Sequence, residues 1–414
     1  MEDKTMRLSL VITLGISLAR PLIAGAADWP HFRGINGDAV SAETGINKDW
    51  VATPPATAWT IPVTDGGYSG PAVVGGIVYF VDHKGKEDIV RAIDLATGVD
   101  KWKVNYPDSA PDNYGFSRST PAIDNGMLYY ITSAGDVFCL KQADGTLVWK
   151  KNCIADYGGV KINWFYSMSP FIDGNKLIIV PGGADKAVVA LDKTTGETIW
   201  AGGGSDKAGY ATPMAATING KKQYLVLAAT SLISVDADNG KLLWSYPWKT
   251  QYDVNSAVPI VIGDSVFITS GYGHGCTLLD IKDGTATARW ENKDMISQMN
   301  TPLLIDGLLY CTSDPGNLVC MDPATGKALW KQPGFEKGGL LAVDGTIIIV
   351  DGKSGDLTMA TVNKDGYKEL GKFSPYNKEA PANKGLNSFW APPVFADGNL
   401  LVRSKKELTC IKLK

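Results

Sequence analysis

From residue 56 onward the chain alternates short apolar runs with tight polar turns. ATAWTIPV at 56–63 switches between apolar and polar positions with a period of two, the mark of a half-buried strand. The same order of segments then repeats. A short run containing proline comes first, as in SGPAVV (69–74), STPAID (119–124), MSPFID (168–173), ATPMAAT (211–217), SAVPIVI (256–262) and NTPLLID (300–306). A tight turn leads to an apolar run such as IVYFV (77–81), MLYYIT (127–132) or LLYCTS (308–313). A third run ends at a second turn, and a fourth carries a tryptophan. No segment sustains an apolar period of 3.6, so the pattern predicts an all-β protein with few helices.

The second turn is the most regular feature. DLATGVDKW (94–102), DKTTGETIW (192–200), DADNGKLLW (236–244) and DPATGKALW (322–330) place Gly four residues after Asp and Trp four after Gly. Looser copies are KQADGTLVW (141–149), DIKDGTATARW (280–290) and VNKDGYKEL (362–370), the last with Leu370 where Trp is expected. Glycine supplies the positive φ of a tight turn, and Asp accepts hydrogen bonds from its backbone. The tryptophan ring is then free to pack on a neighbouring unit. Trp59, Trp102, Trp149, Trp200, Trp244, Trp290 and Trp330 recur at intervals of 40–51 residues, the period of propeller blades. The segment 390–414 supplies three strands without a fourth, and 56–63 is a fourth strand without three. Joined, they complete a ring. The expected fold is an eight-bladed β-propeller of four-stranded antiparallel blades, the last blade closed by the N-terminal strand.

Two further segments precede the array. Residues 1–26 carry an apolar run from Leu8 to Leu18, preceded by Arg7 and followed by the small residues Ala24-Gly25-Ala26. This is the layout of a signal peptide and predicts a periplasmic or secreted protein, with Met1 or Met6 as the start. Residues 27–55 form an irregular arm, expected to pack across the propeller edge on Trp29, Phe32 and Trp50. The remainder, 56–414, is one domain. The net charge of −3 and the lack of a long basic run argue against nucleic acid as a partner. The apolar run is too short for a membrane span. The expected partner is another envelope or secreted protein, or a small ligand.

The repeat A-x-D-x-x-T-G-x-x-x-W, written here as AIDLATGVDKW (92–102) and ALDKTTGETIW (190–200), resembles the tryptophan-docking motif of the quinoprotein-like eight-bladed propellers. The likeness covers 56–414. That group contains PQQ-dependent dehydrogenases and non-catalytic propellers, among them the outer-membrane assembly lipoprotein and secreted PQQ-like repeat proteins. The arm DWPHFRGINGD (28–38) is similar to the start of the secreted members. The dehydrogenases carry two adjacent cysteines over the quinone, whereas Cys139, Cys153, Cys276, Cys311, Cys320 and Cys410 are all separated. Their calcium ligands find no counterpart here either. The resemblance therefore implies a propeller scaffold without a cofactor, with PQQ and calcium in an oxidoreductase as the alternative and carbohydrate binding as a further one.

Loop lengths assign the binding face. The first and second turns are short and share one rim, while the longer blade-to-blade connections crown the other, where variable loops on a rigid frame carry function. Residues just before the inner strands ring the channel mouth: Tyr68, Arg118, Tyr166, Tyr210, Asn255, Asn300 and Trp390, with Trp164 close by. This aromatic and polar set is expected to bind the ligand. No catalytic residue is assigned. No metal site is expected: His274 stands only two residues from Cys276, DADNG (236–240) lacks the downstream acid of a calcium loop, and KGKEDIVR (84–91) reads as a solvated loop. In LLYCTSDPGNLVCMD a two-residue turn at Pro315-Gly316 sets Cys311 opposite Cys320, a spacing open to a disulfide, whereas a bulge would shift the register and leave two buried thiols.

Overall fold

The computed structural model describes residues 28–112, 115–376 and 388–414; the expected export segment 1–26 lies outside them. Eight antiparallel sheets form an eight-bladed propeller, each with its first strand innermost. Blade 1 comprises β3 (Ala72–Val74), β4 (Ile77–Lys84), β5 (Glu87–Asp94) and β6 (Asp100–Pro107). Blade 8 joins both chain ends. The strand β2 (Ala56–Pro62) pairs antiparallel with β33 (Glu407–Lys412), with Trp59 opposite Cys410. Among the described residues the one helical element is a 3-10 turn at Gln251–Asp253.

The docking turns work as their sequence implies, with one further constraint. Asp94 Oδ1 accepts the backbone N–H groups of Ala96 and Thr97 at 3.1 and 3.0 Å. Asp192 repeats this with Thr194 and Thr195. The Trp of one blade lies on the turn of the next and donates its indole N–H there: Trp59 to Leu95 O at 2.7 Å, Trp149 to Lys193 O at 3.0 Å and Trp290 to Pro323 O at 2.9 Å. The receiving glycine is required twice over. Gly98 has φ +72°, and a β-carbon on it would stand 2.8 Å from the Trp59 ring. Trp102 covers Gly145 and Trp200 covers Gly240 in the same way.

Three blades depart from the pattern. In blade 5 the turn is a two-residue hairpin, Asp283-Gly284, with Lys282 paired to Thr285. Here Trp244 donates to Gln223 Oε1 within its own blade at 2.9 Å. In blade 7 a bulge at Leu370 places Gly371, not Leu370, at the docking position. Blade 8 has no turn to receive a tryptophan, because its third and fourth strands come from opposite ends of the chain. Trp50 of the arm fills the gap: a β-carbon on Gly371 would lie 2.5 Å from its Cβ. Its ring is 2% exposed.

The arm corrects the expectation that 27–55 packs across the propeller edge. Only its last part does so. Trp29 exchanges backbone hydrogen bonds with Val73, and Pro30 O accepts from Ile123 N, on the inner strands of blades 1 and 2. Arg33 donates to Thr301 O and Pro302 O, both at 3.0 Å, at the inner strand of blade 6. Val40–Ser41 (β1) then pairs in parallel with β27 (Leu340–Val343) of blade 7. A segment bonded to the inner strands of four blades lies in the central channel. It enters beside Gly75 and leaves beside Asp344 and Gly398, all in short first turns, so it is threaded from the short-turn rim. The physical reason is the unpaired inner edge of each blade, whose backbone groups need partners.

The register expected for Cys311 and Cys320 is also corrected. The loop between β24 (Leu308–Ser313) and β25 (Asn317–Asp322) takes three residues, Asp314, Pro315 and Gly316. Cys311 therefore faces Val319, and Cys320 faces Tyr310. The one-residue shift sends the two thiols to opposite faces of the sheet and into different parts of the core. All six cysteines are free and buried.

Candidate functional site

A cavity of about 500 Å³ occupies the channel mouth on the long-loop side. Every blade-to-blade connection reaches it. Tyr68, Arg118, Trp164 and Tyr210 come from the first four, and Val254, Asn300, Lys337 and Trp390 from the rest. The loops between second and third strands add Tyr272 and Asp314. The floor is the arm, through Phe32, Arg33 and Ala39. The arm thus turns an open channel into a closed cup.

The inner strands that carry these loops are tied to one another by the residues before their prolines. Thr120 N donates to Ser169 Oγ, Ser169 N to Thr212 Oγ1 and Val258 N to Thr301 Oγ1, each at 2.9 Å. Proline lacks an N–H, so this position ends the strand ladder, and the hydroxyl of the following blade satisfies the preceding donor.

The walls are aromatic and held in place. Tyr68 and Trp390 stack at 5.2 Å between centroids, joining the first connection to the last. Lys405 Nζ lies 5.5 Å from the centre of the Tyr68 ring. Arg118 donates to the carbonyls of Trp164 and of Gly115, the latter at 2.9 Å. It therefore braces the wall as well as charging it. Burial holds its guanidinium below the usual range, against the opposing pull of nearby acidic and phenolic groups. Burial likewise pushes the Tyr210 hydroxyl up to about 12, partly offset by the Trp164 N–H it accepts. Arg33, buried in the floor of the cup, is pushed down to about 10 by burial and donates to four backbone carbonyls.

Two of the eight expected ring residues do not reach the cavity. Tyr166 is buried between blades and donates its hydroxyl to Pro181 O at 2.8 Å. Asn255 is fully buried. Its amide donates to the carbonyls of Ala228, Ala229 and Trp248, and its Oδ1 accepts from Ser270 Oγ. Both sit one step too deep, where the chain turns inward and backbone groups need partners. The floor residues Phe32 and Arg33 were invisible as site residues because the path of the arm was not legible. The segment 84–91 is corrected as well: Asp88 lies in β5, its side chain wholly buried against His83.

The cup can be tested against a calcium-bound quinone. Among the described lining residues it presents one carboxylate, Asp314, which has Lys337 Nζ at 3.7 Å. Calcium takes six to eight oxygens, several of them carboxylate. The six thiols are buried in separate places, and none caps the cup. The described residues do not fit that group.

The repeat, the ring of eight blades and the cup define a PQQ-like β-propeller. The chain belongs to the family described as outer membrane protein assembly factor BamB, whose model matches residues 48–163 and 86–332. It is 25% identical over 276 residues to the BamB of Shewanella oneidensis, covering 61% of this chain and 66% of that protein. It is 28% identical over 258 residues to that of Moranella endobia, 60% of each. A tetrathionate hydrolase of Acidithiobacillus ferrooxidans is 23% identical over 281 residues, 63% of this chain and 52% of that one. The chain thus spans between about half and two thirds of the length of these relatives. Among solved structures, BamB from Moraxella catarrhalis superposes with a TM-score of 0.61 at 15% identity, over 86% of this chain and 99% of that one. Quinohemoprotein alcohol dehydrogenase from Comamonas testosteroni gives 0.67 at 14% identity, over 94% and 80%. At such identities the structural likeness shows the fold alone.

Proposed function

We propose that this protein is an exported, non-catalytic propeller scaffold that holds a segment of a protein partner in its arm-floored cup. The observation that carries the reading is the cup itself. Eight connections and two further loops converge on one cavity, and its floor is a segment recruited from outside the repeat. Tyr68, Trp164, Tyr272 and Trp390 offer flat faces for apolar or aromatic side chains. Arg118 and Lys337 place positive charge at the wall, suited to an acidic group or a backbone carbonyl on the guest. The family supports a scaffold role, since its named members are outer membrane protein assembly factors. Residues 1–26 would deliver the chain to the envelope, where such a partner resides.

The test is capture of the partner from envelope extracts by wild type, Trp390→Ala and Tyr272→Ala. The reading expects one protein retained by wild type and reduced at least tenfold by each substitution, with melting temperatures within a few degrees. Unchanged capture by both variants would remove the cup from the account. A small molecule co-purifying with wild type alone would replace the protein partner by a ligand.

A further inference from the structure

Behind the wall that carries Arg118 lies a group of buried polar side chains outside the cup. His83 and Asp88 are cross-strand partners on β4 and β5. Asp108 follows β6, at the start of the connection to blade 2. Each offers one ligand atom, and these atoms lie within 4.8 Å of one another. All three residues are at least 98% buried.

The hydrogen bonds leave an unfilled set of lone pairs. His83 Nε2 is 3.1 Å from Gly85 O, an oxygen that can only accept. The other nitrogen, Nδ1, turns to Asp88 Oδ1 at 3.0 Å. Ser117 Oγ donates to the same Oδ1 at 2.6 Å. Asp108 Oδ1 accepts the N–H groups of Ala110 and Ala134 at 3.1 and 3.2 Å. The remaining oxygens, Asp88 Oδ2 and Asp108 Oδ2, are buried and have no hydrogen-bond partner among the described residues. Two neighbouring carboxylates that each leave one buried oxygen unpartnered repel each other and carry a desolvation cost of several kcal/mol. Arg403 acts on Asp88 only through space: it donates to Ser69 O and lies over the Phe80 ring.

We propose that His83, Asp88 and Asp108 form a site for one divalent first-row transition cation, zinc fitting best. One imidazole and two carboxylates are a borderline donor set that suits such ions and leaves a dication electrically neutral. A metal-bound histidine characteristically donates its second ring N–H to a carbonyl or carboxylate, the role Gly85 O fills. Bonds of about 2.1 Å at tetrahedral angles set ligand atoms about 3.4 Å apart, so the three side chains, whose ligand atoms lie within 4.8 Å of one another, close on the ion by an inward shift of about 1 Å. The ion would tie the β4–β5 hairpin to both ends of the 108–117 connection. Ser117 stands there at φ +29°, a strained backbone held next to Arg118. The cation is therefore a staple for the segment that supports the cup wall.

The test is a cobalt(II) titration of full-length protein first dialysed against a chelator, followed by displacement with zinc. Wild type should give a visible absorption that saturates at one equivalent and is lost on adding zinc. Its melting temperature should rise with zinc. Asp108→Asn keeps Oδ1 for the two backbone bonds, so it should remain folded, bind zinc at least tenfold more weakly and show no such rise. His274→Ala and His31→Ala should behave as wild type. No saturable absorption in folded wild type would overturn the proposal and assign the orphaned oxygens to water. So would equal binding by Asp108→Asn, or loss of binding in either histidine control.

Discussion

Trp290 lies so close over Gly326 that a β-carbon on the glycine would stand 2.5 Å from the indole ring, while the indole N–H reaches Pro323 O at 2.9 Å. The contact joins the fourth strand of blade 5 to the turn of blade 6. It shows that the glycine of the repeat is fixed by its neighbour as well as by its own backbone.

This separates two effects experimentally. Gly326 and Gly307 both lie in blade 6 with φ of +72° and +78°, but a β-carbon on Gly307 meets nothing within 4 Å. Gly307→Ala should cost about 1–2 kcal/mol, the strain of a left-handed residue. Gly326→Ala should cost roughly 1–3 kcal/mol more, from overpacking against Trp290. Denaturant titration measures both. Equal losses would show that the ring moves aside freely.

Trp50 should behave as a propeller tryptophan although it lies outside the repeat. It covers Gly371, where blade 7 has no ring of its own. Trp50→Ala should destabilise the whole ring by about 3–5 kcal/mol, as loss of a buried tryptophan does. The transition should remain single, because blade 8 closes the ring through β2 and β33. A loss under about 1 kcal/mol would mean that the arm is only laid against the ring.

The thiols give a direct reading of register. Cys311 and Cys320 are offset by one residue across their hairpin. Protein unfolded without reductant should therefore take up six alkyl groups, observed as intact mass. Four would restore the face-to-face pairing.

How much of this was legible follows from where the determining contacts lie. The blade count rests on Trp and Gly at fixed spacing, which are local signals, and strand 56–63 announced itself by having no first three strands. The hairpin at Asp314–Gly316 misled by one residue because a three-residue loop and a two-residue loop share the same proline and glycine. Tyr68, Arg118, Trp164, Tyr210, Asn300 and Trp390 reach the cup because they sit where the chain enters an inner strand. Tyr166 and Asn255 occupy the same sequence position but are drawn inward by Pro181 O and by three blade 4 carbonyls. The arm was illegible because its partners, Val73, Ile123, Thr301 and Ala342, are remote in sequence and are backbone groups that any residue could supply. The burial of Asp88 was hidden by its charged neighbours in KGKEDIVR.

The cup should not hold a quinone. With one carboxylate among the described lining residues, faced by Lys337, and no cysteine over it, PQQ at micromolar concentration with calcium should leave the absorption spectrum of the cofactor unchanged. Calcium-dependent dye reduction with an alcohol or aldose would contradict this.

A partner that enters the arm-floored cup should be captured there by photo-crosslinking. A photoreactive amino acid replaces Tyr272 at the cup wall or Asn175 on the opposite, short-turn rim, with the full-length protein expressed in its native cell. A discrete adduct to one envelope protein from position 272, absent from position 175 and lost with Trp390→Ala, is the expected result. Adducts from position 175 alone would place the partner on the short-turn rim and contradict the account.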